Sequence, residues 1–452
     1  MSSTHADNTA VRPSSLFLLP LLPCLALLLF AAHYVRLHEW WQAVGILFVS
    51  GLVWGRSAWM RFVGAAVLML AGYEWARTAS LLILGRMEVA ADWQRLALIM
   101  GCVILFTCAG MLILLSSRAA KRFYRYESTG VMQAAAFMLT VCLLWLTREK
   151  AAAITPLLAD RIAAGAGWLQ MVLTGTYAAW ISRLLFEPKV AVKVRPRIWA
   201  LFSVVFFGQL VLGLLGLDIL LMTGKLHLPV PALIVAAPLF RGDGFFMLGL
   251  FAFSVLLLGP AWCSHLCYIG AWDDACSRIK KKRGKPVSRR ARVLYRSLIA
   301  VLVFGAAILM RAAGVSTLVA VLAAALFGIG GIGTMLAISS KAGMMVHCTT
   351  WCPMGLIANI AGKIAPWRLR VNSNCTRCKA CLAKCRYSAL SEDALERGRP
   401  KLTCTLCRDC MSACRHGALS ITLFGRESGT VQAVFCAFAA SLHAVFLVVA
   451  RM

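Results

Sequence analysis

Apolar stretches of membrane-crossing length recur from Ser14 to the C-terminus, with mostly short polar connections between them. A bilayer core takes about 20 helical residues to cross. On that measure the sequence predicts eleven spans, near 15–33, 41–54, 59–73, 95–117, 130–147, 165–183, 199–222, 245–262, 294–312, 315–339 and 430–449. The second and third are short and read as a tilted hairpin or one broken element. PVPALIVAAPLF, at 229–240, is apolar but Pro-rich and reads as a re-entrant piece outside the span set. LFLLPLLPCLALLLF follows Arg12 as a signal peptide would, yet no Ala-x-Ala-like site leads from it into a soluble region. It is therefore read as a retained first span.

Charge orients this map. Of the 47 Lys and Arg, the map leaves eleven outside: Arg36, Arg77, Arg86, Arg95, Arg148, Lys150, Arg161, Lys225, Arg241, Arg311 and Arg451. Basic residues collect on the cytoplasmic side of membrane proteins, so the N-terminus is predicted to be cytoplasmic. The same rule accounts for the net charge of +29, which needs no nucleic-acid partner. A composition 60% hydrophobic and 14% charged excludes one ordinary soluble domain. The expected location is a bacterial cytoplasmic (inner) membrane, crossed many times, with membrane lipid as one partner.

The one long polar interruption, 363–426, holds eight of the 18 cysteines. NCTRCKACLAKC supplies Cys375, Cys378, Cys381 and Cys385. TCTLCRDCMSAC supplies Cys404, Cys407, Cys410 and Cys414. Each run reads C-x2-C-x2-C-x3-C, the ligand spacing of a two-cluster bacterial ferredoxin, in which the fourth thiolate of each run reaches the other cluster. The expected sets are Cys375, Cys378, Cys381 and Cys414 for one [4Fe–4S] cluster, and Cys404, Cys407, Cys410 and Cys385 for the other. Zinc would need one set of four and not two interlocked repeats. RYSAL and RHGAL follow the two fourth cysteines, with small Ala389 and Ala418 where the chain must pack close to a cluster. Arg386 and Arg415 stand where Pro is usual, and two cations there are expected to raise the cluster potentials.

A second repeat lies upstream. PAWCSHLCYIG and MVHCTTWCPMG both contain C-x3-C-x2-G, and Cys263 precedes Cys348 by 85 residues. Cys263, Cys267, Cys348 and Cys352 are candidates for an additional redox or ligand role: a dithiol, extra metal ligands or a third cluster. A disulfide within a pair, or plain lining of a helix end, remains an alternative. His265 and His347 are weaker candidates because they sit differently in the two pairs. Cys276 and the span residues Cys24, Cys102, Cys108, Cys142 and Cys436 read as packing. Asp218, inside LLGLDILL, reads as an intramembrane acid that either pairs with Lys225 or lines a proton or quinone path. No nucleophile-and-base pair stands near the cysteines, so no catalytic residue is predicted.

The expected fold is thus an all-α polytopic membrane protein of about eleven transmembrane helices, with a small inserted bacterial-type 2[4Fe–4S] ferredoxin α+β domain. Its expected segments are an N-terminal membrane domain without assigned role (1–194), a membrane electron-transfer core with two C-x3-C repeats (195–362), a cytoplasmic ferredoxin domain (363–426) and a C-terminal transmembrane or surface helix (427–452).

Over about 195–426 the cysteine runs resemble the NapH/NosR-type membrane polyferredoxins of nitrate and nitrous-oxide respiration. Cys352–Pro353 matches their paired C-x3-C-P signature, and Cys267–Tyr268 departs from it. The resemblance implies electron relay between a membrane quinol or cytoplasmic donor and a respiratory or maturation partner, such as a quinone-linked or periplasmic reductase system. An enzymatic version, a quinol dehydrogenase component, would need a quinone pocket. A redox sensor or redox-coupled transporter is the alternative from a different class.

Overall fold

The computed structural model describes residues 18–151, 156–220, 228–280, 283–284 and 288–449. Among these, eight helices are long and apolar enough to cross a membrane: Ala58–Glu88, Gln94–Leu115, Glu127–Lys150, Pro188–Leu214, Phe246–His265, Arg290–Ala312, Thr317–Ala342 and Gly429–Val449. Eight is fewer than the eleven expected, and the differences have local causes. Leu21–Arg36 and Trp40–Val53 form helices of only 16 and 14 residues. Gly167–Phe186 reaches 20 residues, but Gln170, Thr174, Thr176 and Arg183 dilute its apolar character.

Two sequence expectations fail for reasons visible in the helices. Ala58–Glu88 runs 31 residues, well past the predicted limit at 73. The charges that seemed to end it, Glu74 and Arg77, pair one turn apart at 2.6 Å and leave the helix intact. Pro188–Leu214 starts earlier than predicted, with Pro in the first turn where its missing N–H costs nothing. It also stops at Leu214, so Asp218 lies beyond the helix, exposed in a 3-10 turn, and not inside a span. Its suggested partner Lys225 lies outside the described residues. The Pro-rich piece forms a nine-residue helix, Leu233–Arg241, ended by left-handed Gly242.

The chain divides into two compact units, residues 1–146 with 159–179, and residues 147–158 with 180–452. In the first, Leu27, Val53, Leu68, Leu114 and Phe123 form a fully buried apolar core. The second carries the eight cysteines of 375–414 and the four of the C-x3-C pairs. Here the C-x3-C repeat has a matched backbone. Cys267 precedes helix Tyr268–Ile279 with φ −83° and ψ 112°, and Cys352 precedes helix Pro353–Ala361 with φ −76° and ψ 117°. Tyr268 therefore starts a helix just as Pro353 does.

The glycine of each C-x3-C-x2-G has a packing reason. A Cβ on Gly270 would lie 3.0 Å from the carbonyl oxygen of Cys263 and 2.4 Å from Trp199. A Cβ on Gly355 would lie 2.8 Å from the carbonyl oxygen of Cys348 and 3.0 Å from Arg296 Nη2. Only glycine lets each new helix lie against the first cysteine of its own pair.

The eight-cysteine segment is framed by the antiparallel strands Trp367–Val371 (β1) and Leu419–Leu423 (β2), with Trp367 opposite Leu423 and Val371 opposite Leu419. The inward positions Trp367, Leu369, Leu419 and Ile421 are buried, as strand alternation requires. Trp367 donates to the carbonyl of Leu257 at 2.7 Å and packs edge-on against Phe435, so the sheet rests on two of the long apolar helices. The described residues are thus all-α apart from this small two-stranded element.

Candidate metal centres

Between the strands the backbone repeats itself after 29 residues. Left-handed residues recur at Arg377 and Leu406, Lys379 and Arg408, and Ser388 and Gly417. These bends curl each cysteine loop so that three thiols face one side. The two halves also cross. The amide of Asn372 donates to Ala418 O at 2.9 Å, and that of Lys401 donates to Ala389 O at 2.8 Å. The entry of each half is thereby tied to the exit of the other.

This crossing gathers Cys375, Cys378, Cys381 and Cys414 around one hollow of about 320 Å³, part of it open to solvent. Cys404, Cys407, Cys410 and Cys385 are mutually close enough for each charge to act on its neighbours. The small residues have a further use. The amide of Ala389 donates to Cys385 Sγ and that of Ala418 to Cys414 Sγ, each at 3.2 Å. A Cys sulfur accepting an amide hydrogen bond is stabilised as thiolate.

The C-x3-C pairs converge as well. Cys263, Cys267, Cys348 and Cys352 line a single hollow of about 370 Å³, part of it open space. Thr349, Met354, Gly355 and Asn359 line it from the second repeat, Trp262 from the first, and Tyr387, Thr403 and Thr405 from the eight-cysteine segment. His265 and His347 do not line it. His265 Nδ1 lies 3.2 Å from Ala261 O and 3.0 Å from Ser264 Oγ, within its own helix. His347 is buried against Gly331, where a Cβ would meet its ring at 2.8 Å.

Burial pushes Cys267 and Cys404 up to about 12, and Cys381 up to about 11. A thiolate at such positions requires nearby positive charge, which cluster iron carries. Cys378, exposed at the rim, moves the other way because the Ala380 amide favours its thiolate. All eighteen cysteines are free thiols. Among the described residues no three His, Cys, Asp or Glu are drawn together closely enough to hold a single ion. Zinc draws its sulfurs to about 2.3 Å from one point. Thiols spread around a hollow fit a cubane, whose own irons and sulfides fill the middle.

Several residues here escaped the sequence reading. Arg195, on helix Pro188–Leu214 and 1% exposed, pairs with Asp409 at 2.9 Å and Asp274 at 3.5 Å; Arg278 pairs with both acids. Burial alone would raise Asp274, but Arg195 and Arg278 outweigh it and hold its carboxyl below the usual range. Arg408 is buried and donates to Leu185 O and Phe186 O, and to Cys436 Sγ at 2.9 Å. Arg386 donates to the backbone carbonyls of Ser277, on the helix that follows the first C-x3-C pair, and of Gly343, just ahead of the second repeat. The departure from Pro to Arg at 386 was the one signal in the sequence that pointed to this contact.

The chain matches the family described as 4Fe-4S binding domain over residues 244–286 and 313–372. A generic 4Fe-4S binding domain is present. Its two matched segments contain all four C-x3-C cysteines and end before Cys375. No curated protein and no solved structure matches the chain. With its long apolar helices, the chain is consistent with a membrane-associated iron–sulfur electron carrier.

Proposed function

We propose that this protein relays electrons through the membrane surface with three [4Fe–4S] clusters. Cys375, Cys378, Cys381 and Cys414 would hold an outer cluster, and Cys404, Cys407, Cys410 and Cys385 an inner one. Cys263, Cys267, Cys348 and Cys352 would hold the third, between the hairpins. Bound clusters would supply one-electron storage at each site. The observation that carries the reading is the convergence of thiols distant in sequence: Cys414 on the hollow of Cys375, and Cys348 and Cys352 on that of Cys263.

The residues around the sites support a relay. Cys378 is exposed, whereas Cys385 and Cys410 are buried. Cys407 and Cys348 both pack on the buried group of Trp199, Ala271, Met345 and Tyr387, which forms a wall shared by the inner and third sites. The sites are thus graded from solvent toward the apolar helices. The finer reading is a NapH/NosR-type polyferredoxin of the bacterial inner membrane, its ferredoxin module cytoplasmic, serving a quinone-linked or periplasmic reductase system.

Anaerobic purification with iron and sulfide analysis and low-temperature EPR tests this. About twelve iron atoms per chain are expected, four per cluster. About eight would remove the third site, and none would end the reading. Incubation with reduced quinol then separates roles. Reduction of the clusters supports quinol oxidation; no exchange with quinol or with any soluble carrier favours a redox sensor.

A further inference from the structure

The hollow of the C-x3-C pairs is ringed by polar groups that have no partner. Tyr387 Oη, Thr403 Oγ1, Thr405 Oγ1 and Trp262 Nε1 make no hydrogen bond, although their residues are at most 7% exposed. All four line the hollow. Four buried orphan donors around one space are unusual, because each costs about 1–3 kcal/mol if unsatisfied.

Arg296 makes the pattern sharper. It is 2% exposed, and its Nε and Nη2 also lack partners. No carboxylate pairs with it among the described residues. The groups that attract its charge are Cys352, Cys263 and Cys348. Its charged neighbour one turn back on the same helix is Arg292, which repels it. An unpaired buried guanidinium costs several kcal/mol. A disulfide in the hollow would be neutral and would leave that cost in place. A cluster ligated by four thiolates is an anion with acceptor sulfurs, and answers both the cation and the orphan donors.

We propose that Arg296 and the hydroxyls of Tyr387, Thr403 and Thr405 donate to the cluster in the C-x3-C hollow and set how readily that site takes one electron. They are positioning residues of the third site. Three of them belong to the eight-cysteine segment, so the ferredoxin module completes the membrane site it docks on. The inference rests on the third-cluster reading above. Cations and donors favour the reduced, more negative cluster, so their loss lowers the potential.

The test uses full-length protein purified without oxygen, with EPR-monitored titration of each signal against dithionite as electron donor. A third signal in the unaltered protein, lost in Cys352→Ser, establishes the site independently. Its absence, with about eight irons, ends the third-cluster reading and the inference with it. Given that signal, Tyr387→Phe and the double variant Thr403→Val, Thr405→Val are expected to shift the third midpoint downward, by more than any shift at the inner site whose wall Tyr387 shares, and to leave the outer midpoint unmoved. Each should also remove an exchangeable deuteron coupling seen by ENDOR in heavy water. Arg296→Met is expected to lower the midpoint further or lose the third signal, and Arg296→Lys to restore most of it. If Arg296→Met does not fold, the near-isosteric hydroxyl variants decide. A full-strength third signal at its original midpoint in Tyr387→Phe and in the Thr403, Thr405 double variant overturns the proposal.

Discussion

The two halves of the eight-cysteine segment share a backbone and a cysteine spacing but have different surroundings. Lys379 and Arg408 occupy the same left-handed position, 29 residues apart. Lys379 is exposed and pairs with Glu392 at 2.7 Å, while Arg408 is buried against Leu185, Phe186 and Cys436. Arg386 and Arg415 both follow a fourth cysteine. The first reaches the carbonyls of Ser277 and Gly343, beside the two C-x3-C repeats, and the second is exposed. Tyr387, at 2% exposure, lines the third hollow, and its counterpart His416 lines the solvent-side one. Because the fourth thiols cross over, the pieces sort cleanly. The loop 375–381, exposed from Thr376 to Ala380 and buried at Cys381, joins the tail that is exposed from Arg415 to Gly417, and the docked loop 404–410 joins the docked tail at Cys385. On the proposed reading, two nearly identical cysteine sets thereby acquire an outer and an inner address from their surroundings alone.

Removing one ligand from each address gives the largest contrast. Cys410→Ser and Cys378→Ser each delete one thiolate of a four-cysteine site. The inner variant should lose about four irons and also loosen the module, since small metal-held modules draw folding energy from their ligands. The outer variant should lose its own centre and leave the inner and third EPR signals intact. Iron analysis with limited proteolysis between β1 and β2 reads both effects; equal protease sensitivity in the two variants would break the distinction.

The contacts that dock the inner half come next. Asp409→Asn removes one carboxylate from the buried group of Arg195, Asp274 and Arg278. Breaking a buried pair from one side costs about 3–5 kcal/mol. Arg415→Ala, at the exposed counterpart of Arg386, should change stability by no more than about 0.5 kcal/mol. Thermal unfolding of the purified protein in detergent, followed by the loss of cluster absorbance, is the measurement.

Much of this arrangement was legible in the cysteines, and little of it elsewhere. The crossed sets were an expectation from spacing; in the structure Cys375, Cys378, Cys381 and Cys414 line one hollow, and Cys385 lies near Cys404, Cys407 and Cys410. The spans were less well read, since hydropathy treats Glu74 and Arg77 as an end when their pairing lets the helix continue. The C-x3-C pairs fell between. Their repeat was plain, but convergence on one hollow depends on how two hairpins pack, and no local pattern encodes that. Arg195 and Arg296 were invisible for the same reason. A basic residue near a helix end reads as a topology signal until its neighbours are known. Tyr268, which departs from the C-x3-C-P pattern, still starts its helix as Pro353 does, because Cys267 takes nearly the same backbone conformation as Cys352.

The smallest expected effect tests whether each arginine acts on one address. Arg386 follows Cys385 of the inner set, and Arg415 follows Cys414 of the outer set. Replacing either with Gln removes a cation near one cluster and should lower that cluster's midpoint alone. The two shifts should differ in their response to salt. Arg415 is exposed, and at about 0.15 M ionic strength charges more than about 8 Å apart are largely screened, so its effect should fade as salt rises. Arg386 is half-buried with its guanidinium fixed on Ser277 and Gly343, and its effect should persist. EPR titration of Arg386→Gln and Arg415→Gln at low and high salt reads both. Unmoved or raised midpoints would remove the electrostatic role. Equal salt dependence would mean that the outer and inner sites see the same solvent, and the distinction between the halves would fall.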